Sequence, residues 1–172
     1  TEADLAAERA VIETIRKHYP DHAFLAEESG AEGESDHVWI IDPLDGTTNY
    51  LHGFPVFCVS VAVRVGRRVE HGVVYDPLRQ ELFTASRGAG AQLDGRRIRV
   101  SGRTKLEQAL IGTGFPFRGQ TRNSMRAYLD MLGHIVENTA GVRRPGAAAL
   151  DLAYVAAGRL DGFWETGLAP WD

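Results

Sequence analysis

The spacing of apolar residues at the start of the chain predicts a helix. Leu5, Ile12 and Ile15 recur at helical intervals. Thr1 stands where an N-cap residue is needed, three residues before the acid Asp4. We expect the charged residues of this helix to face solvent: Glu8, Arg9, Glu13, Arg16 and Lys17.

The middle of the chain carries short apolar runs that predict strands, separated by turn residues. A buried strand is expected over residues 38–41. Between residues 54 and 100 the runs follow one another without a helical segment, which indicates an antiparallel meander. Within it, Asp94 and Gly95 are typical of a two-residue hairpin turn. The predicted strands of the meander cover residues 56–65, 69–75 and 81–86.

The last third of the chain alternates strands with helices. Residues 110–113 predict a strand, and the apolar positions of residues 125–136 predict an amphipathic helix. Residues 147–157 are mostly small and predict a second helix, closed by Gly158, before a final strand at 160–164. The whole pattern predicts an α/β (α+β) layered fold, in which an antiparallel meander sheet is flanked by helices.

Composition places the chain among ordinary globular proteins. Of its 172 residues, 44% are hydrophobic and 24% charged, which is enough to bury a core. The formal net charge of -4 argues against a nucleic-acid-binding surface as the main purpose. Cys58 is the single cysteine, so no internal disulfide can form and we expect a reducing, cytoplasmic setting. No apolar run is long enough to span a bilayer.

The octapeptide that begins at Asp42 carries the clearest chemical signal. Asp42 and Asp45 follow the buried strand, and Pro43 stiffens the backbone between them. We expect both carboxylates to point to one side with the Leu44 carbonyl between them, a set of hard oxygen atoms that suits Mg²⁺. Gly46 then permits a close backbone approach, so the following amides can face an anion. A purely structural Asp-Pro turn before a capped helix is the weaker interpretation.

Two further acids, Glu27 and Asp172, also stand at or just past the end of an apolar strand or turn. Each alone is most simply a solvated loop acid. Together with Asp42 and Asp45 they suggest a site for several magnesium ions. Two such ions could clamp the attacking and leaving oxygens of an in-line displacement at phosphorus, so no covalent nucleophile is required.

Four other residues have both a functional and a structural interpretation. The hydroxyl of Thr47 could orient an attacking water if a carboxylate accepts its proton, and Asp4 is a candidate for that acceptor, although helix capping also accounts for Asp4. Gly146 offers a second helix terminus that faces an anion, or simply room for close helix packing. Glu165 could accept hydrogen bonds from substrate hydroxyls, or be an isolated surface acid.

Arginines are frequent in the meander and raise the question of nucleic-acid binding. More often such residues solvate hairpin tips and protect edge strands. Because the net charge is negative, we keep that interpretation. These arginines include Arg64, Arg67, Arg68, Arg79, Arg96, Arg97 and Arg99.

Several segments resemble the inositol monophosphatase family. Trp39 to Tyr50 is similar to the first signature of that family, and Gly167 to Asp172 is similar to the beginning of the second. Glu27 to Ser29 matches the Glu-Glu-Ser element that precedes the first signature, and Ala148 to Gly162 is similar to the bacterial members. The resemblance extends over the whole 172 residues.

The resemblance implies a layered sandwich of the inositol monophosphatase and sugar phosphatase type, with two or three Mg²⁺ ions and inhibition by lithium. Thr47 with Asp4 would orient the nucleophilic water, and the amides of Gly46 and Thr47 would hold the phosphate. The metal ligands it implies are Glu27, Asp42, the Leu44 carbonyl, Asp45 and Asp172. The sugar-alcohol side would be lined by Gly146, Ala147, Ala148 and Glu165.

This sequence departs from the family pattern in two ways. Ala147 stands where a hydroxyl-bearing residue is usual, so one polar contact to substrate is missing. Family chains also begin with another helix and continue well beyond the second signature, so we expect truncation at both ends. Residues 1–140 would form the metal- and phosphate-binding part, and residues 141–172 would begin a C-terminal α/β part whose second layer is incomplete.

The leading hypothesis is therefore a Mg²⁺-dependent phosphomonoesterase of a small polyol phosphate, most simply myo-inositol monophosphate, acting through a metal-activated water. One alternative is a related sugar or histidinol phosphatase. Another is a regulatory protein that keeps the fold and contacts partners such as the transcription machinery. The family leads us to expect a homodimer. The net charge and the lack of a long apolar run lead us to expect neither a nucleic acid nor a membrane as primary partner.

Overall fold

The computed structural model describes residues 1–116 and 122–172 and arranges them in layers of helix and sheet. The helices are α1 (Glu2–His18), α2 (Thr47–Leu51), α3 (Arg122–Asn138) and α4 (Ala148–Ala156). The larger sheet contains β1 (Ala23–Ala26), β2 (Gly30–Glu32), β3 (His37–Asp45), β4 (Cys58–Val65), β5 (Arg68–Asp76), β6 (Glu81–Ser86), β7 (Gly90–Leu93) and β8 (Arg96–Arg97). The smaller sheet contains β9 (Leu110–Thr113), β10 (Gly141–Arg143) and β11 (Gly162–Trp164).

The larger sheet confirms the predicted meander. Its described strands lie in the order β2-β1-β3-β4-β5-β6-β7-β8, and each strand from β3 to β8 is antiparallel to the next. Asp94 and Gly95 both have positive φ, 50° and 74°, in the turn between β7 and β8. That backbone is what a two-residue hairpin turn requires, and it explains the Asp-Gly pair.

The smaller sheet is parallel and has the order β10-β9-β11 among the described residues. In the chain, α3 stands between β9 and β10, and α4 between β10 and β11. The three residues of β10 are too few to give a recognisable apolar run, so the sequence did not predict this strand. The predicted division at residue 140 separates β9 from the two strands that pair with it.

Helix α1 packs on one face of the larger sheet. Thr1 caps it as predicted, its hydroxyl accepting a hydrogen bond within the first turn. Ile12 packs against Phe24 and Ala26 of β1 and against Ile41 of β3. The first layer is thus held by a small apolar cluster at the centre of the sheet.

The expectation that Glu8 faces solvent is wrong. Asp4, Glu8 and Ile12 are spaced four residues apart, so they lie on the same, buried face of α1. The carboxylate of Glu8 is only 3% exposed and accepts hydrogen bonds from the amides of Glu28, at 2.9 Å, and Ser29, at 3.0 Å. Glu8 therefore fixes the segment that leaves β1.

Strand β3 bulges at its carboxyl end. Asp42 lies opposite Ser60 and Asp45 opposite Cys58, so three steps along β3 match two steps along β4. In a regular strand, residues three apart point to opposite faces. The extra residue of the bulge, where Pro43 has no N–H to donate, turns the Asp45 side chain to the same side as that of Asp42.

Helix α4 lies between the two sheets. It contacts β4 and β5 on one side and β9 and β11 on the other. Leu150 is fully buried there beside Cys58. The order of layers is therefore α1, larger sheet, α4 and smaller sheet, which confirms the predicted α/β layered fold.

No helix within residues 1–116 and 122–172 combines the length and the apolar composition that a bilayer crossing requires.

Candidate active site

A cleft of about 270 Å³ opens where β3 ends, between the start of α2 and the start of α4. It brings together residues that are far apart in the chain. The residues that line it are Glu27, Asp42, Leu44, Asp45, Gly46, Thr47, Thr48, Asn49, Arg144, Gly146, Ala148, Glu165, Leu168 and Asp172.

Asp42 and Asp45 form the buried floor of this cleft. Their side chains are 2% and 8% exposed. Burial, together with the charges of Asp45 and Glu27, raises the pKa of Asp42 far above its ordinary value. Burial also raises the pKa of Asp45, to about 6, although the hydrogen bond from the Ala149 amide acts to lower this pKa. Two carboxyls in this environment favour a positive charge between them.

Both floor carboxyls are held on one side and open on the other. The Asp45 Oδ2 atom accepts a hydrogen bond from the Ala149 amide at 2.7 Å and from the Cys58 thiol at 3.7 Å. The Asp42 Oδ1 atom accepts one from the Leu44 amide at 3.0 Å. The first turn of α4 thus fixes Asp45, and the β3 bulge fixes Asp42.

Glu27 and Asp172 reach the same cleft from two other segments. Glu27 follows β1, and its amide donates to the Ile41 carbonyl at 3.1 Å. Burial and the charge of Asp172 raise the pKa of Glu27, and the neighbouring Asp42 carboxyl acts in the opposite direction. Asp172 adds to the charges that raise the pKa of Asp45. The four predicted acids, which come from three segments, therefore line one site.

Thr47 and Asp4 meet directly, as expected from the resemblance. The Thr47 hydroxyl lies 3.2 Å from the Asp4 Oδ1 atom and 3.1 Å from the Leu44 carbonyl oxygen, and it can donate to either. Asp4 is fully buried below the cleft. Burial acts to raise the pKa of Asp4, but the hydrogen bonds that it accepts, including that from the Thr47 hydroxyl, lower it, so Asp4 is a carboxylate at neutral pH. The capping and the acceptor roles of Asp4 coexist.

Two glycines allow the two sides of the cleft to approach. Gly46 has φ 95° and Gly146 φ 87°, both in the left-handed region that favours glycine. A Cβ on Gly46 would lie 2.9 Å from the Val56 carbonyl oxygen and 3.3 Å from that of Gly146. The Asn49 side chain ties the same segments, donating at 2.8 Å to Val56 and to Pro145.

The side of the cleft away from Asp42 and Asp45 contains three of the four residues expected there. Gly146, Ala148 and Glu165 line it, whereas the Ala147 side chain is buried in the apolar cluster around Cys58. Burial raises the pKa of Glu165, and the Arg144 guanidinium acts in the opposite direction.

Arg144 and Asn49 are cleft residues that the sequence analysis did not identify. Arg144 lies over the Phe115 ring, 5.0 Å from its centre. The only sequence signal for Arg144 is its position two residues before Gly146. The only signal for Asn49 is its place as the last residue of the octapeptide that begins at Asp42.

The residues present fit a divalent cation by their chemistry. Carboxylate oxygens and a backbone carbonyl are the ligands that Mg²⁺ prefers, and buried acids of raised pKa gain most from a cation. Within residues 1–116 and 122–172, no three His, Cys, Asp or Glu side chains already stand close enough to enclose an ion.

A larger cavity, of about 500 Å³, lies between the larger sheet and α4. Valine and alanine side chains dominate its walls, and Asp172 is the sole titratable residue among the described residues that line it. It has none of the convergent polar groups that catalysis needs, so we assign the chemistry to the smaller cleft.

The sequence is similar to known proteins over its whole length. The model of the inositol monophosphatase family matches residues 1–172. The Nus factor SuhB of Pseudomonas aeruginosa is 58% identical to this chain over 176 residues, which cover 100% of the chain and 65% of that protein. The chain thus spans about 65% of the length of this curated relative.

Two solved structures share the fold. The extragenic suppressor protein suhB from Bartonella henselae has a TM-score of 0.95 and 48% identity, over 100% of this chain and 67% of its own. The inositol monophosphatase from Anabaena has a TM-score of 0.91 and 47% identity, over 99% of this chain and 68% of its own.

Proposed function

The chain belongs to the inositol monophosphatase family, and on that premise we propose that its cleft is the catalytic site of a Mg²⁺-dependent phosphomonoesterase. The substrate is a small polyol phosphate, with myo-inositol monophosphate the leading candidate, since the Anabaena relative is called an inositol monophosphatase. The observation that carries the proposal is the buried pair of Asp42 and Asp45 beside the Thr47–Asp4 hydrogen bond.

The cation would be held by oxygen atoms from three segments, the one after β1, the end of β3 and the one after β11. Two or three ions, when bound, offset the phosphate charge and stabilise the negative charge that develops on the leaving oxygen. The hydrogen bonds of Asp42 and Asp45 described above hold one oxygen of each carboxylate and orient the other. The proposed ligands are Glu27, Asp42, the Leu44 carbonyl, Asp45 and Asp172.

Thr47 acts on the attacking water. When the Thr47 hydroxyl donates its proton to Asp4, the lone pairs of its oxygen face the cleft and can accept a hydrogen bond from water. Asp4 is buried and ionised, so it holds the hydroxyl in that orientation. The pair thereby orients the water for in-line attack on phosphorus.

The remaining cleft residues place the two halves of the substrate. The amides of Gly46 and Thr47, at the start of α2, face the phosphate. Gly146, Ala148 and Glu165 receive the alcohol, where the small side chains leave room and the carboxylate accepts hydroxyl protons.

The test is phosphate release from myo-inositol monophosphate by the purified protein in Mg²⁺. Asp42→Asn and Asp45→Asn are each expected to lower turnover by at least about 100-fold, since even outer partners of metal ligands cost ~10–100-fold. Asp94→Asn is the matched control, because Asp94 lies in the exposed hairpin turn and asparagine suits that backbone. Unchanged turnover in either site variant would refute the proposal. Histidinol phosphate and other sugar phosphates, assayed in parallel, separate the substrates within the class.

A second candidate function is partner binding in transcription, favoured by the name Nus factor carried by the Pseudomonas relative. Arg67, in the turn between β4 and β5, and Arg68, the first residue of β5, are exposed at the end of the sheet opposite the cleft. Arg87 lies at that same end, paired with Glu70 at 3.0 Å. A basic surface there could contact an acidic partner.

This candidate is separated from the first by its own variants. Arg67→Ala combined with Arg68→Ala is expected to abolish capture of transcription elongation factors in a pull-down while phosphate release stays unchanged. Retained capture would remove the support for it. Lost capture from a protein without Mg²⁺-dependent turnover would favour it over the enzyme.

A further inference from the structure

Gly114 and Glu165 leave neighbouring parallel strands side by side. Gly114 follows β9 and Glu165 follows β11, and the last residues of these strands, Thr113 and Trp164, are paired. The Gly114 amide also lies 3.4 Å from the Trp164 carbonyl oxygen and donates to it. The pairing of the strands thus brings the Glu165 side chain over the backbone of Gly114.

The contact between the two residues leaves no room for a side chain at position 114. A Cβ built on Gly114 would lie 1.8 Å from the Glu165 Cδ atom and 1.9 and 2.1 Å from its two carboxylate oxygens. Non-bonded carbon atoms in proteins approach to ~3.5–4.0 Å, so these distances are far inside contact. Any side chain at 114 would force the carboxylate out of its present position.

The backbone of Gly114 does not itself require glycine. Gly114 is not among the glycines with a positive φ, unlike Gly46 and Gly146. It is buried, so the absence of a side chain serves the packing of its neighbour. The three atoms nearest to the position of a Cβ on Gly114 all belong to the carboxylate of Glu165.

The carboxylate held in this way is part of the cleft wall. Glu165 lines the cleft on the same side as Gly146 and Arg144, and the Arg144 guanidinium is itself placed over Phe115, the residue that follows Gly114. One short segment, Gly114-Phe115, thus supports both an acceptor and a donor of hydrogen bonds on the alcohol side.

We propose that Gly114 is a positioning residue for substrate recognition, which acts through Glu165 and selects leaving groups that carry hydroxyls near the scissile oxygen. The inference rests on the proposed phosphomonoesterase function. With a side chain at position 114 the carboxylate turns away, and the cleft still binds phosphate but no longer distinguishes a polyol from an alcohol without further hydroxyls.

The test compares two substrates that share the phosphate and differ in the leaving group, myo-inositol monophosphate and p-nitrophenyl phosphate. Gly114→Ala is expected to raise KM for the inositol substrate about 10-fold or more, the effect of losing a hydrogen bond to a charged group. Its kcat/KM for p-nitrophenyl phosphate stays within about twofold of the original protein. Gly133→Ala is the matched control, since a Cβ on Gly133 of α3 meets nothing within 4 Å.

A double-variant cycle shows whether Gly114 acts through Glu165 or by distorting the fold. Gly114→Ala combined with Glu165→Ala should lose no more selectivity than Glu165→Ala alone. Its melting temperature should recover relative to Gly114→Ala, because the carboxylate that meets the new methyl group is gone. Additive losses of selectivity, or equal losses on both substrates, would overturn the inference.

The outcomes also separate this inference from the proposed function. If the original protein hydrolyses neither substrate in Mg²⁺, the proposed function and the recognition role fail together. If the protein is active and Gly114→Ala keeps its selectivity for the inositol substrate, only the role of Gly114 is refuted.

Discussion

Replacement of Gly46 by alanine tests the close approach on which the cleft depends. Alanine in the left-handed region costs ~1–2 kcal/mol, and Gly46 has φ 95°. Its methyl group would also lie 2.9 Å from the Val56 carbonyl oxygen and 3.2 Å from the Phe57 Cβ atom. Overpacking of this kind costs ~1–3 kcal/mol, because backbone must move to relieve it. The expected loss in the free energy of unfolding is therefore about 2–5 kcal/mol.

Gly53→Ala provides the matched control for that measurement. Gly53 also has a positive φ, 66°, but a Cβ on it would meet nothing within 4 Å. Only the backbone cost of ~1–2 kcal/mol applies, and the difference between the two variants isolates the close contact. Urea unfolding of both variants measures the difference, provided that the slope of the transition is unchanged.

The same substitution also reports on the site. Gly46→Ala would push the start of α2 away from the Gly146 turn, so the amide of Thr47 and the carboxylate of Asp45 would no longer converge. We expect phosphate release to fall by at least about 100-fold, whereas Gly53→Ala keeps most of its activity. Equal destabilisation of the two variants, or full activity of Gly46→Ala, would refute the reasoning.

Three further predictions concern residues around the cleft. Thr47→Val keeps the shape of the side chain but removes its hydrogen bond to Asp4, so we expect kcat to fall ~100-fold or more with little change in KM, measured by steady-state kinetics. Glu8→Gln replaces an oxygen acceptor of the Glu28 amide or of the Ser29 amide by a donor, and should weaken Mg²⁺ binding about tenfold in calorimetry. Asp151→Asn should gain stability relative to the original protein as the pH rises from 5 to 8, as measured by urea unfolding.

The sign of the Asp151 effect follows from its burial. Asp151 is 1% exposed with one carboxyl oxygen that no described group hydrogen-bonds, and burial, with the charge of Asp45, raises its pKa to about 7. The unfolded chain ionises near the ordinary value of ~3.9, so between pH 4 and 7 the folded state binds more protons and stability falls as pH rises. Asparagine does not ionise, so the variant does not lose this stability. In the original protein the loss in the free energy of unfolding is at most ~4 kcal/mol.

Each of the three predictions has an outcome that contradicts it. A Thr47→Val protein with normal kcat would show that the Thr47 hydroxyl has no role in the reaction. Unaltered Mg²⁺ affinity in Glu8→Gln would mean that the segment after β1 holds its place without that carboxylate. A stability difference for Asp151→Asn that does not change with pH would show that Asp151 is ionised throughout.

Local patterns were enough to predict most elements of the fold and the centre of the site. The meander was predictable because its strands are separated by clear turn residues, and the pair Asp94-Gly95 specifies its turn by backbone chemistry alone. The prediction that the Asp42 and Asp45 side chains point to the same side was correct, but the sequence did not show how the backbone places them there. The structure achieves it by a bulge inside β3, because strand pairing with β4 continues past Pro43.

The residues that escaped prediction owe their roles to long-range packing. Glu8 resembles a solvent-facing helix acid, and only the arrival of the Glu28 and Ser29 amides makes its burial favourable. Gly114 lies opposite Glu165 because β9 and β11 are neighbours in a parallel sheet. These two strands are far apart in the sequence, with helices α3 and α4 between them. Arg144 was not predicted for the same reason, because no sequence pattern near it indicates that its guanidinium lies over the Phe115 ring.

The central claim is that the acidic cleft works with Mg²⁺ to hydrolyse a phosphate monoester. The most direct measurement is the initial rate of phosphate release from myo-inositol monophosphate, after treatment with a chelator, as Mg²⁺ is added back. We predict no release without Mg²⁺ and a saturable rise with it, which Asp45→Asn abolishes. Release that is independent of Mg²⁺, or equal in Asp45→Asn, would contradict the claim.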